Sequence, residues 1–390
     1  MSWQMLAEIF LLIARLRAPS APPMKVPTRF KRLPGHVKRD LPLAKMLHRA
    51  IYSEHRRESR GCRIVTLYML VTYVLMTGLL ISSLASSPAL GQRLAGRTVP
   101  SPIYGVTLDD VSNPSSTTTS LSRLVRMPTA RIVFDTDKTP FYYAQPIQQF
   151  RPISYIMGEL IDSSYMKHYK TVSAVQSWTN SYVNILGSQV DIWEIGNEIN
   201  GNWLSRQSNG ADVMPKVEAM FDIVYGQGGA TALTFFYEGE PLDPNNCIAT
   251  NYGGNDMFTW ITQQFQLNLP PAQRSAETEK IRLNVNYVLI SWYPGQCPGE
   301  NPNWPWVFDQ LASIFPNSKV GFGELGTANP EYGSSLEINE INQYYPMAKT
   351  VSGLSARYVG GYFWWYFAEE LAPWPGSLGA VLNAALAAGP

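Results

Sequence analysis

The chain has 390 residues, 45% hydrophobic and 16% charged, enough for one large core or two small ones and too apolar for a disordered protein. Its net charge of +1 conceals a division: residues 1–63 carry 14 Lys or Arg against 4 Asp or Glu, and the remainder carries 17 against 26. An acidic body lacks the clustered cations that grip phosphate backbones, which excludes nucleic-acid partners.

The leader, residues 1–63, is rich in Pro and Arg and shows no lasting periodicity. It holds three of the four histidines, His36, His48 and His55. The body therefore has His168 alone, so zinc sites built on several imidazoles are excluded and any Ser-His-Asp triad would rest on that residue. An uncharged run of 21 residues, 64–84, follows, with HRRESRGCR before it and ASSPALGQ after it. Basic flank, apolar stretch and small residues in that order form a secretory signal. The run exceeds the ~7–15 residues of a signal's apolar region and approaches the ~20 that span a bilayer. A cleaved signal and an uncleaved membrane anchor are both open readings, and both put the body outside the cytoplasm, because the basic excess is N-terminal. A buried core helix fits poorly, since strong basic flanks rarely border one. Cleavage, where it occurs, is expected between Ala85 and Gly91, and residues 85–98 read as a linker. Met46 offers a more ordinary start for such a leader.

Residues 99–390 read as one domain of about 290 residues, close to the ~250 typical of a (β/α)₈ barrel. Short apolar runs alternate with amphipathic stretches, the pattern of a parallel sheet wrapped in helices. Eight strands are expected, at 103–108, 130–135, 153–160, 190–197, 232–238, 286–293, 319–324 and 358–367. Between them, Val213, Val217, Met220 and Val224 form one helical stripe, and Val307, Leu311, Ile314 and Phe315 another. The expected fold is a TIM barrel preceded by a basic leader and one membrane-spanning or signal segment.

In parallel barrels the reactive groups sit where strands end and the following loops begin. Strand four ends in Trp193-Glu194-Ile195-Gly196-Asn197-Glu198, and strand seven in Gly321-Phe322-Gly323-Glu324. Two carboxylates on one face, three strands apart around the ring, can converge across the barrel mouth. Breaking a glycosidic bond needs such a pair: one group protonated to serve the leaving oxygen, the other ionised to attack or stabilise the anomeric carbon. Differences in burial and neighbouring charge let identical side chains take opposite roles.

The strings WEIGNEING and VGFGELG, with an aromatic closing strand eight, resemble the large clan of retaining glycoside hydrolases with (β/α)₈ barrels. That clan includes cellulases, mannanases, galactanases and arabinofuranosidases. The resemblance covers most of the body as scattered strand-end motifs, and it implies the clan rather than a family within it. It implies Glu198 as general acid/base, Glu324 as nucleophile and Asn197 as the contact to the sugar 2-hydroxyl. Tyr293 is similar to the tyrosine that hydrogen-bonds the nucleophile, and Arg131 to the arginine that keeps it ionised. Trp364 or Trp365 is similar to the aromatic floor beneath the cleaved sugar, whose C–H faces pack on rings. One of two adjacent residues in a strand faces away, so one of this pair is expected to be packing only. Tyr293 is equally a core tyrosine, and Arg131 equally the partner of Asp135 or another acid inside the barrel. Glu194 reads as structural. Glu238, Glu240, Glu159 and Asp162 also fall near strand ends, where they bind sugar hydroxyls or simply face water.

Cys247 and Cys297 fall in the loops after strands five and six, neighbours in a barrel, so an exported protein is expected to join them in a disulfide. Cys62 precedes the apolar run and stays reduced. The sequence reading is an exported, cofactor-free and metal-free O-glycoside hydrolase acting on a carbohydrate. A binding barrel without turnover and an envelope polysaccharide transglycosylase are its alternatives. Glycan, linkage, endo or exo action and oligomeric state are left open.

Overall fold

The structure is a computed structural model that describes residues 94–206, 211–239, 256–295, 300–327, 333–374 and 376–390. The leader, the run 64–84, Cys62, Glu240 and the expected Cys247–Cys297 pairing lie outside the described residues. Among the described residues, no helix is long and apolar enough to cross a membrane.

Eight parallel strands close into a barrel in sequence order: β1 (Ile103–Leu108), β2 (Thr129–Val133), β3 (Tyr155–Glu159), β4 (Ile192–Gly196), β5 (Thr231–Phe236), β6 (Tyr287–Trp292), β7 (Lys319–Leu325) and β8 (Gly360–Trp364). Each expected strand is present, with ends displaced by up to three residues. Strands covered by helices outside and by side chains inside are buried on both faces. That is why they appear in the sequence as apolar runs rather than as alternations.

The surrounding helices include α1 (Pro114–Ser122), α2 (Pro140–Phe150), α3 (Val172–Leu186), α4 (Met214–Tyr225), α5 (Met257–Gln264), α6 (Ala276–Asn284), α7 (Trp304–Ile314), α8 (Ser335–Tyr344) and α9 (Gly376–Ala388). The expected stripe on α4 is wholly buried: Val213, Val217, Met220 and Val224 all face the sheet. On α7, Val307 and Leu311 are buried and Ile314 is half-buried, while Phe315, buried as well, lies just past the helix end. The tail of the stretch read as a linker lies against the barrel base. Leu94 is buried and its N–H donates to the Gln227 carbonyl at 3.0 Å, and Arg97 binds Asp191 through Nη2 at 2.6 Å.

The outer layer holds a buried acid of its own. Glu340 on α8 is 3% exposed, and neither of its carboxyl oxygens has a hydrogen-bond partner among the described residues. Burial, with Glu337 one turn away, pushes its pKa up to about 9. The native state therefore holds a proton there that the unfolded chain releases near its ordinary value. The stability this proton carries is complete below about 4.5 and lost as pH rises through the folded value. Glu340→Met should stabilise the protein at pH 8 by about 1–3 kcal/mol and by less at pH 5. Denaturant unfolding at the two pH values checks it, and an equal gain at both would rule the explanation out.

Candidate active site

The interior of the barrel is charged. Arg131, inward on β2, is fully buried and its guanidinium faces three carboxylates. Nε meets Glu194 at 2.7 Å, Nη2 meets Glu159 at 3.0 Å and Nη1 meets Glu324 at 3.1 Å. The Nε contact is a hydrogen bond; the other two are ion pairs by distance with off-line geometry. Thr234 on β5 donates a further hydrogen bond to Glu194. Burial opposes the charge on Arg131, but the three carboxylates outweigh it and hold its proton more firmly than usual. Glu159 shows the reverse balance: burial and the neighbouring acids raise it well above the carboxylate range despite Arg131. Both sequence readings of Arg131 thus meet in one residue, which pairs interior acids, though not Asp135, and also touches Glu324. Arg131→Met would strand buried carboxylates and should cost about 3–5 kcal/mol. Thermal and urea unfolding measure this, and a loss under about 1 kcal/mol would show the network to be solvated.

Glu324 lies at the mouth end of this network, 4% exposed. Its Oε1 accepts from the Tyr293 hydroxyl at 2.5 Å, and its Oε2 accepts from Asn197 Nδ2 at 3.2 Å. Burial raises its pKa to about 7, against the pull of Arg131 and Tyr293. Burial and the adjacent carboxylate hold Tyr293 well above its ordinary value, so its hydroxyl remains a donor. Gly326 makes this contact possible, because a Cβ there would stand 2.7 Å from Tyr293 Cε1.

Glu198 faces Glu324 from the end of β4. It has a φ of 47°, a left-handed conformation that costs a non-glycine residue roughly 1–3 kcal/mol. Its surroundings impose that conformation. Ile199 N–H is tied to the Thr234 carbonyl, and the Asn200 amide pairs with both backbone groups of Phe236, as a neighbouring strand would. Glu198 Oε2 accepts from Ser163 Oγ at 2.8 Å and Oε1 accepts from Ser291 Oγ at 2.7 Å. Burial first, then the Glu324 charge, push its pKa up to about 8, with the two serine hydrogen bonds acting in the other direction. The same Ser291 oxygen lies 3.5 Å from Glu324 Oε1. The facing oxygens of the two carboxyls are therefore no further apart than the sum of those contacts, about 6.2 Å.

The two carboxyls line a cavity of about 360 Å³, with Asp162, Ser163, Ser164, Trp203, Phe236, Tyr293 and Trp365 completing its described wall. Of the adjacent tryptophans, Trp365 reaches this cavity, with Arg131 Cζ 5.6 Å from its ring centroid. Trp364 does not: it is fully buried in the hydrophobic core, with its indole beside Tyr366 and Glu370. Trp364 is therefore corrected from a floor candidate to a packing residue. Glu194 lies deeper in the barrel, held by Arg131 and Thr234. Glu159 meets Arg131, Asp162 enters the wall, and Glu238 is buried just after β5 outside the described lining, raised to about 8 by burial and by Glu300. His168 is exposed against Tyr165 and is not part of the wall.

Sequence reasoning missed Ser163, Ser291, Trp203 and Phe236. For Ser291 a signal existed, since it lies two residues before Tyr293 and so on the same strand face. Register then places it opposite Glu324 on β7.

No protein-family model matches the chain, and no curated protein matches it. Among solved structures it is similar to a β-glucosidase from Exiguobacterium antarcticum B7, at 10% identity over 64% of this chain and 76% of that one, with a TM-score of 0.44. An endo-β-1,3-glucanase from Amycolatopsis mediterranei, solved with laminaritriose, is similar at 11% identity over 73% and 99%, with a TM-score of 0.38. Gas2p from Saccharomyces cerevisiae, solved with laminaritriose and laminaritetraose, is similar at 12% identity over 76% and 69%, with a TM-score of 0.45. Similarities this low do not bear on substrate, and the reading of the site rests on its own atoms.

Proposed function

We propose that the chain is a retaining O-glycoside hydrolase, acting outside the cytoplasm on a carbohydrate. Glu324 is its nucleophile and Glu198 its general acid/base. The observation that carries this reading is the Ser291 oxygen touching both carboxyls. It keeps their facing oxygens within about 6.2 Å of each other, which supports the close pair of a retaining enzyme (~5–5.5 Å) over carboxyls held ~6.5–9.5 Å apart around a water. The division of roles is supported by surroundings: Arg131, Tyr293 and Asn197 all favour an ionised Glu324, whereas no cation among the described residues pairs with Glu198, which lies higher in pKa. Attack of Glu324 on the anomeric carbon forms a glycosyl ester while Glu198 protonates the leaving oxygen, and Glu198 then takes a proton from the water that cleaves the ester.

An uncharged sugar fits this cavity. No Lys, Arg or His is among the described residues of its wall, and the undescribed positions within 94–390 (207–210, 240–255, 296–299, 328–332 and 375) contain none in sequence. The export signal read from the sequence supports the location.

The test is a panel of neutral polysaccharides and aryl glycosides, followed by ¹H NMR of the first sugar released. Retention of anomeric configuration supports the proposal. Inversion would overturn the mechanism, and no hydrolysis across the panel would overturn the activity.

A further inference from the structure

Resting on that assignment of the two carboxyls, the hydrogen bonds around Glu198 have a direction. Trp203 Nε1 lies 3.1 Å from Ser163 Oγ, and an indole nitrogen can only donate. Ser163 thus accepts from Trp203 and spends its own proton on Glu198 Oε2 at 2.8 Å. With Oε2 serving as an acceptor, the proton of a neutral Glu198 belongs on Oε1, which faces Ser291 Oγ at 2.7 Å. That hydroxyl is buried, and its other polar neighbour is Glu324 Oε1 at 3.5 Å. A serine hydroxyl donates once and accepts twice, so it can take the Glu198 proton on one side while donating to Glu324 on the other.

We propose that Ser291 is a reversible bridge between the two carboxyls, and that Ser163, oriented by Trp203, fixes the Glu198 oxygen from which the bridge starts. Both are positioning residues. In the resting enzyme Glu198 Oε1–H donates to Ser291 and Ser291 donates to ionised Glu324. Concerted transfer breaks the Glu198 O–H as the Ser291 O–H re-forms, and delivers the former Ser291 proton to Glu324 Oε1. Two protons each hop once, the net result is one proton passed from Glu198 to Glu324 with the negative charge moving the opposite way, and no electrons are exchanged. Once Glu324 is esterified it carries no charge to attract a donor. Ser291 then turns its proton to Glu198 Oε1, which steadies that carboxylate as it becomes the base for water. The serine reverses its donor direction between the half-reactions.

The groups facing Glu198 are few. Glu324 on β7 and Asp162 after β3 oppose its ionisation. Tyr293 on β6 is a neutral donor to Glu324, and Arg131 on β2 is committed to Glu324, Glu194 and Glu159. Loss of a hydroxyl donor therefore has no charged replacement among them.

The test is ¹³C NMR titration of labelled glutamate carboxyls in the full chain, with Glu198→Gln and Glu324→Gln assigning the signals. It needs no turnover, so a failure of the bridge is distinguishable from a failure of the hydrolase reading. Ser291→Ala removes both the acceptor of the Glu198 proton and the donor to ionised Glu324, so the Glu198 midpoint should fall and the Glu324 midpoint should rise, each by about one unit. Ser163→Ala should raise Glu198 while leaving Glu324 in place, because that serine touches only one of them. Ser291→Cys keeps the volume with a weak donor and should follow the alanine variant, which separates bridging from packing. Where hydrolysis is measured, the alkaline limb of kcat/KM should move with the Glu198 midpoint. If Ser291→Ala and Ser291→Cys shift Glu198 alone, or shift neither group, there is no bridge.

Discussion

Glu324→Gln is expected to lose hydrolysis on the order of 10⁴-fold or more while the protein still binds glycan. The amide keeps the size of the carboxyl, and its oxygen can still accept from Tyr293 or Asn197, so the wall around the cavity is preserved. It cannot attack carbon, and it removes one of the three charges facing Arg131. Glu159 and Glu194 remain paired with that guanidinium, so the fold should survive. Loss of the charge also removes the repulsion that helps raise Glu198, whose midpoint should fall from about 8 toward the ordinary carboxylate range. Steady-state assays with a parallel binding titration check both halves. A fully active variant would remove Glu324 from the nucleophile's role, whatever the geometry.

The barrel was legible because eight short apolar runs recur with amphipathic stretches between them, the pattern of parallel strands buried on both faces, and eight is the number that closes a barrel. Glu198 and Glu324 were legible for a related reason: a strand end fixes where a residue lies before any contact is known. The choice between Trp364 and Trp365 was not. Strict alternation fails in β8, where Gly360, Gly361, Tyr362 and Phe363 all have positive φ, so counting residues does not give the inward face. The serines illustrate a second limit. Ser163 reaches Glu198 from 35 residues away, and Ser291 from 93. A hydroxyl leaves no pattern in the sequence that says which carboxyl it will meet. Arg131 was legible as an interior cation, but its three partners come from β3, β4 and β7, and only barrel closure brings those strands around it.

Glu198→Ala is expected to sort substrates by leaving group. An unactivated glycan must have its leaving oxygen protonated as the bond breaks, and loss of a positioned general acid typically costs about 10²–10⁴-fold. A dinitrophenyl glycoside departs as a stable phenolate and needs almost no help, so its first step should be nearly unaffected. Its second step should suffer instead, because the water that cleaves the Glu324 ester loses its base. The glycosyl-enzyme should then accumulate, giving a burst of phenolate equal to the enzyme present, with low KM and slow turnover. The pH profile gives an independent reading. On the proposed roles, wild-type activity requires an ionised Glu324 and a protonated Glu198, so it should rise through about 7 and fall through about 8. Without Glu198 the fall has no titrating group behind it, and activity on the dinitrophenyl substrate should stay level as the pH rises past that point. Equal losses on both classes of substrate, with the alkaline fall retained, would assign the proton to another group.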